Sequence, residues 1–280
     1  MMNTTRIKSI LGLIVLLFLT FKSFGQQPPE EFFTGLDLMH KDNAEAKKEF
    51  MMALGKDSLF HGTYHFLGVI FLENNQLDSA VFCFKKSIAL NKENLRHTKE
   101  MTYVRLIDTY LYQHDFNNSF EVAREAFALY PDNTNISFGL KDACLWSFYT
   151  KYNSLDISYL SPVMKAEYVV NSIPEEYLIV RKLMIDGNHL SVDMQSLTEK
   201  NGANYDILKC SYSEKDPAVD VSFRINWNMS TDFGGKVADT KKVIDDYSNP
   251  VYERLGARLV ADSDLDLAKE IKKLTRQGSK

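Results

Sequence analysis

His61 and His65 are the first pair in this 280-residue chain whose residue types and spacing suit chemistry. Four apart on a helix, both imidazoles can face one metal ion, as a zinc site requires. The segment reads His61-Gly62-Thr63-Tyr64-His65, with no third ligand nearby and without the glutamate that a metalloprotease helix carries between its histidines. Polar groups on a groove side or helix start are the simpler reading. Asp262, Asp264 and Asp266 alternate like the opening of a calcium loop. Leu267 stands where that loop needs glycine, and Lys273 where it needs its closing carboxylate. They read better as an acidic cap on a last helix that ends in Lys272, Lys273 and Arg276, with each charge at the favourable end of the helix dipole. Thr231-Asp232-Phe233-Gly234 holds three letters of a kinase metal motif without the rest of that set. Neither a nucleophile elbow nor a Gly-rich phosphate loop occurs. This reading assigns no catalytic residue, no metal and no cofactor.

Cys83, Cys144 and Cys210 lie far apart and match no metal spacing, and an odd count leaves at least one thiol outside any disulfide. Cys83 between Phe82 and Phe84, and Cys144 beside Leu145 and Trp146, read as small buried hydrophobes.

The elements that must position any site begin after an export signal. Arg6 and Lys8 form a positive start, Ile10 to Phe21 a short apolar run, and Ser23-Phe24-Gly25 a small-residue cleavage end. That run is shorter than the about 20 residues a membrane-spanning helix needs, so cleavage after Gly25 and no span thereafter are expected. The signal resembles bacterial ones and places the mature chain in the periplasm or outside the cell. Of the 33 basic residues, Arg6, Lys8 and Lys22 leave with the signal, so 30 remain against 37 acids, a net of −7. Nucleic acid is a poor partner for such a chain, since phosphates demand basic patches.

From Phe32 onward, apolar positions recur at three and four, the helical period. A first helix pair carries Phe33, Gly35 and Leu38, then Ala46, Phe50, Ala53 and Leu54. A second carries Tyr64, Leu67, Gly68 and Phe71, turns at Asn74-Asn75-Gln76, and continues with Ala80, Phe84 and Ser87. A third carries Tyr103, Leu106 and Tyr110, turns at Gln113-His114-Asp115, and continues with Ser119, Ala123, Ala126 and Pro131. Small residues are expected where paired helices approach closely, with Gly68 facing Ala80 and aromatics filling the wider gaps. Ile136 to Tyr152 reads as a capping helix.

Residues 32 to about 132 thereby resemble tetratricopeptide (TPR) repeats. The second repeat is a close match. The third has Ile107 for the usual glycine, Ser119 and Ala123 for the usual alanine and aromatic, and about five extra residues within Glu93 to Lys99 ahead of it. The resemblance implies stacked helix pairs with a concave groove lined by each opening helix. That places His65, Val69 and Leu72, then Val104, Asp108, Leu111 and Tyr112, on a surface for a partner protein or an extended or helical peptide. The lysines and asparagines with which some of these repeats grip a terminal carboxylate are absent there. A C-terminal domain folded back into the groove is the competing occupant.

After about Asp156 the pattern changes. Met164 to Val170 suits a short helix. Tyr177 to Ile185 and Leu190 to Gln195 flank Asp186-Gly187 as a hairpin would, Tyr205 to Tyr212 reads as a third strand, and Val219 to Trp227 alternates cleanly as a fourth. Pro174-Glu175-Glu176 also suits a helix start, which makes the first strand ambiguous. Three helices close the chain, at Asp239 to Tyr247, Pro250 to Val260 and Asp264 to Arg276. The expected organisation is a signal (1–25), a helix-pair array with its cap (26–156), and an α+β domain (157–280) with a small antiparallel sheet. The fold class is α+β overall. The expected function is an exported scaffold or adaptor of the cell envelope, binding a protein or peptide. The alternative is an enzyme or glycan-binding protein with its site in the α+β domain.

Overall fold

A computed structural model describes residues 27–39, 41–185, 188–212, 217–232 and 234–277. The expected signal lies outside them. The described residues up to Thr63 form one compact unit, and those from Tyr64 onward a second. The boundary expected near residue 156 falls inside that second unit.

The first unit pairs α1 (Glu30–Leu38) with α2 (Asn43–Lys56). Glu30 and Glu31 sit in the first turn of α1, and Asp42 caps α2 by accepting from the Glu45 backbone N–H at 3.0 Å. Gly35 lets the helices close: a Cβ there would stand 2.7 Å from the Phe50 ring. Phe32 packs beside Phe50 and Phe60, with ring centroids 5.8 and 4.9 Å apart.

The second unit opens with α3 (His61–Glu73), most of which belongs to it, and α4 (Leu77–Leu90). Next come α5 (Thr98–Tyr112), α6 (Phe116–Leu129) and the 19-residue α7 (Thr134–Tyr152). The turns use residues that tolerate positive φ: Asn75 at 55° and His114 at 60°. The insert before α5 forms a short 3-10 turn at Leu95–His97, with Asn94 at 50° and His97 at 57° on either side.

Gly68 packs against Phe84. A Cβ at Gly68 would lie 2.5 Å from that ring, so the first unit's glycine-on-phenylalanine contact recurs here. In the α5–α6 pair, Ile107 and Ala123 stand at the equivalent spacing, both fully buried, so the large and small partners have changed sides at similar total volume. Ile107 also reaches α7, where a Cβ on Gly139 would meet it at 3.1 Å. Gly68→Ala is accordingly expected to lower stability by about 2–3 kcal/mol through overpacking. Thermal unfolding of the variant would check this, and an unchanged midpoint would show that the Phe84 ring yields freely.

The remainder of this unit is a mixed sheet with helices. Four strands run in the order β1-β6-β5-β4: β1 (Tyr168–Val170), β4 (Ser191–Lys200), β5 (Ala203–Ser211) and β6 (Val219–Ile225). Neighbours β4, β5 and β6 are antiparallel, while β1 runs parallel to β6, with Tyr168 opposite Phe223. The sheet is therefore mixed, and the helix expected from Met164 to Val170 is instead β1 and its approach. Tyr168 stacks on Phe223 at 5.3 Å, which favours pairing along the open edge of β6 over a local helix.

The first strand expected at Tyr177 to Ile185 is mostly helix: α8 (Ile173–Val180) begins with proline at its N-terminus and Glu175 and Glu176 in its first turn. Leu178, Ile179 and Val180 are all buried, and such a short unbroken apolar run reads like a strand. Only Met184–Ile185 (β2) and Asn188–His189 (β3) pair as the expected hairpin. The closing helices are α9 (Thr240–Asp245), α10 (Val251–Ala261) and α11 (Leu267–Gln277). Asp266 caps α11, accepting from Lys269 N at 3.0 Å. Glu253 of α10 ties to α7 through Lys151 Nζ at 2.7 Å and the Tyr152 hydroxyl at 2.6 Å. Cys83, Cys144 and Cys210 are buried thiols with no disulfide among them. No described helix is long and apolar enough to cross a membrane.

Candidate functional site

A cavity of about 360 Å³ opens between α5, α7 and two later stretches, residues 181–182 and 189–190. Helix α5 contributes Met101, Val104, Arg105 and Asp108 to its wall, one or two turns apart along one face. Asn133, Asn135, Phe138, Gly139 and Asp142 come from α7 and its cap. Arg181, Lys182, His189 and Leu190 close the third side.

The floor is ionic. Lys182 Nζ lies 2.7 Å from Asp108 Oδ1 and 2.9 Å from Asp142 Oδ2, and all three side chains are buried. Arg181 Nη2 meets Asp142 Oδ1 at 2.6 Å, and His189 Nε2 stands 3.5 Å from Asp108 Oδ2. The Tyr112 hydroxyl donates to the Lys182 carbonyl at 2.8 Å, fixing the backbone that delivers the ammonium.

Burial alone would raise both carboxyls, since it disfavours the charged form. Lys182 and His189 outweigh this at Asp108, and Arg181 and Lys182 at Asp142, so both lie below the usual carboxylate range. Burial likewise works against the Lys182 ammonium, and the two carboxylates reverse that and hold its pKa above the ordinary lysine value. All three charges are thus fixed at neutral pH. They join helices α5 and α7 to the chain that follows α8.

Of the residues that the repeat resemblance placed in a groove, Val104 and Asp108 line this cavity. Tyr112 is buried beneath Lys182 and Met184, and Leu111, Val69 and Leu72 are core. His65 is also buried, with Nδ1 2.9 Å from Thr102 Oγ1. Residues 181–182, 184 and 189–190 lie against these α5 positions.

Asp142, Arg181, Lys182 and His189 were missed by sequence reasoning. The usable signal was charge in apolar company. Lys141-Asp142 stand between Leu140 and Ala143-Cys144, and Arg181-Lys182 interrupt the run from Tyr177 to Ile185. A charge in a buried segment needs a partner, and two acids and two bases in such segments should meet.

No protein-family model and no curated protein matches this chain.

Proposed function

We propose that this protein is an exported interaction protein, a TPR-like scaffold or adaptor that holds a partner segment in the α5–α7 cavity. The observation that carries the reading is the contrast between the floor and the mouth of this cavity. The floor is locked by a buried, mutually neutralised ion-pair network, so its shape exists before any partner arrives, which lowers the ordering cost of binding. The mouth carries exposed apolar side chains, Met101 at 56% and Phe138 at 53% exposure, of the kind that anchor a partner. The helix-pair repeat and the export signal read from the sequence support the same reading. On this reading the export signal sends the mature protein to the periplasm or outside the cell.

The test is affinity capture from envelope extract with wild type and a Met101→Glu/Phe138→Glu double variant. Both positions are exposed, so the variant is expected to fold. Loss of a wild-type partner from the folded variant supports the cavity as the working surface. Equal capture by both proteins moves the function elsewhere on the molecule.

A further inference from the structure

We infer that this chain forms a two-fold dimer by pairing its edge strand β4 antiparallel with β4 of a second copy, Leu197 standing opposite its own copy. The pairing joins two four-stranded sheets into one of eight. It is independent of the partner cavity and goes beyond it.

The first observation is an open edge. In the order β1-β6-β5-β4, one edge strand, β1, is three residues long and the other, β4, is ten. A very short strand blunts a sheet edge, whereas a long one presents a row of unpaired backbone N–H and C=O groups. Among the described residues no strand pairs with the outer side of β4. The strand is exposed along almost its whole length, with Met194 at 62% and Leu197 at 55%. Residues 194–199 hold neither proline nor lysine, the residues that commonly guard such an edge.

The second observation is what frames this stretch. The register with β5 shifts between Val192 and Met194, and from Met194 to Lys200 it is regular. Such an irregularity bends a strand and interrupts its ladder, so it stops further pairing at one end, and β4 itself stops at Lys200. The regular window is therefore residues 194–200, and its middle residue is Leu197.

The third observation is self-complementarity, which commits the edge to a second copy. Directly opposite residues of an antiparallel pair share a face, so a two-fold axis normal to the sheet sets one residue opposite its own copy. Centred on Leu197, the window sets leucine against leucine, Ser196 against Thr198, Gln195 against Glu199 and Met194 against Lys200. Serine and threonine can hydrogen-bond across the strands, the lysine stem can lie along the methionine, and no like charges meet. Centring on Ser196 would set Asp193 against Glu199, and centring on Gln195 would set Asp193 against Leu197. Leu197 shares the face that α8 packs on, since Gln195, two residues earlier, accepts from the Tyr177 hydroxyl at 2.8 Å. Pairing thus covers an apolar side chain that α8 leaves more than half exposed.

The experiment follows the mass of the mature protein by sedimentation from about 1 to 100 μM, for wild type and for Leu197→Lys, Leu197→Cys and Met194→Cys. Both positions are exposed, so the variants are expected to fold, and circular dichroism checks this. The wild type is expected to dimerise as its concentration rises. Leu197→Lys sets two ammonium groups opposite each other and should weaken the dimer at least about tenfold. The cysteine variants read the register, because Cys83, Cys144 and Cys210 are buried. Under mild oxidation Leu197→Cys should crosslink quickly, its two Cβ atoms standing about 5 Å apart. Met194→Cys sets its copies about 20 Å apart along the paired strands and should crosslink at least about tenfold more slowly. A wild type that stays monomeric at the highest concentration would overturn the dimer. So would a dimer indifferent to Leu197→Lys, which lies elsewhere on the surface, or equal crosslinking at both positions, which denies the register. If the chain stays monomeric while Leu197→Lys abolishes envelope capture, β4 takes a foreign strand and the second copy is the wrong occupant. Capture by the Met101→Glu/Phe138→Glu variant is read separately, so failure of the dimer leaves the partner cavity standing.

Discussion

Lys182→Met is expected to destabilise the protein by about 3–5 kcal/mol at neutral pH, the cost of removing one partner from a buried ion cluster. The reason lies in what remains. Asp108 and Asp142 each lose an ammonium, at 2.7 and 2.9 Å, and both remain almost wholly buried at the cavity floor. Arg181 still serves Asp142, and His189 serves Asp108 from 3.5 Å, so the damage is greater at Asp108.

The pH dependence separates this account from simple loss of packing. In the wild type both carboxyls are held below their ordinary range. Their contribution is therefore present at neutral pH and is lost as pH falls through the depressed folded values. Without Lys182, the balance at Asp108 tips toward burial and its folded pKa rises, so the variant gains relative stability on acidification. Denaturant unfolding at neutral pH and near pH 4 should show the wild-type advantage shrinking by at least about half. Adding Asp108→Asn to the variant should recover part of the loss at neutral pH, since an amide needs no counter-charge. A deficit that is the same at both pH values, and is not relieved by Asp108→Asn, would mean that Lys182 acts through its methylene stem alone.

The second large effect is expected at Glu176, on α8. Its side chain is fully buried, and neither carboxylate oxygen meets a donor. Asp206 of β5 is buried too, with Oδ2 taken by the Gln195 amide and Oδ1 without a donor. A proton on Glu176 removes its buried charge and lets its O–H donate to Asp206. Burial, with the Asp206 charge second, pushes the Glu176 carboxyl up to about 9.

The sign follows directly. The folded protein binds a proton there that the unfolded chain releases near its ordinary value of 4.5, so stability is greatest below 4.5 and is lost as pH rises toward about 9. The slope from this one group approaches about 1.4 kcal/mol per pH unit at most, and partial solvation of the site reduces it. Glu176→Gln keeps the shape and the donor and removes the titration. It is expected to stabilise the protein by about 2 kcal/mol at pH 8 and to flatten the decline between pH 5 and 8. Unfolding midpoints across that range would check this. An identical decline in the variant would assign the slope to another group.

The sequence by itself determined what local physics controls. The helical period from Phe32 onward gave the succession of helix pairs, and Asn74-Asn75-Gln76 and Gln113-His114-Asp115 marked turns that do place Asn75 and His114 at positive φ. Alternation at Val219 to Trp227 located β6, and the acids before the last helix included its true cap, Asp266. The α+β class followed from those patterns.

Only the tertiary structure decided which segments meet. Residues Tyr168 to Val170 carry too short a pattern to declare a strand, and they become one because the edge of β6, some 55 residues later, is open to parallel pairing. Helix α8 buries Leu178, Ile179 and Val180 in succession, and a short unbroken apolar run does not separate helix from strand. The same holds at the cavity. Asp108, Asp142, Arg181 and Lys182 lie up to 74 residues apart, and their charges are compatible with burial only because folding brings them together. Periodicity reports which face of an element is apolar, whereas the partner that covers that face is fixed by contacts distant in sequence. Of the residues expected in a groove, Val104 and Asp108 line the cavity, whereas Tyr112 is covered by Lys182 and Met184, contacts about 70 residues distant that no local pattern announces.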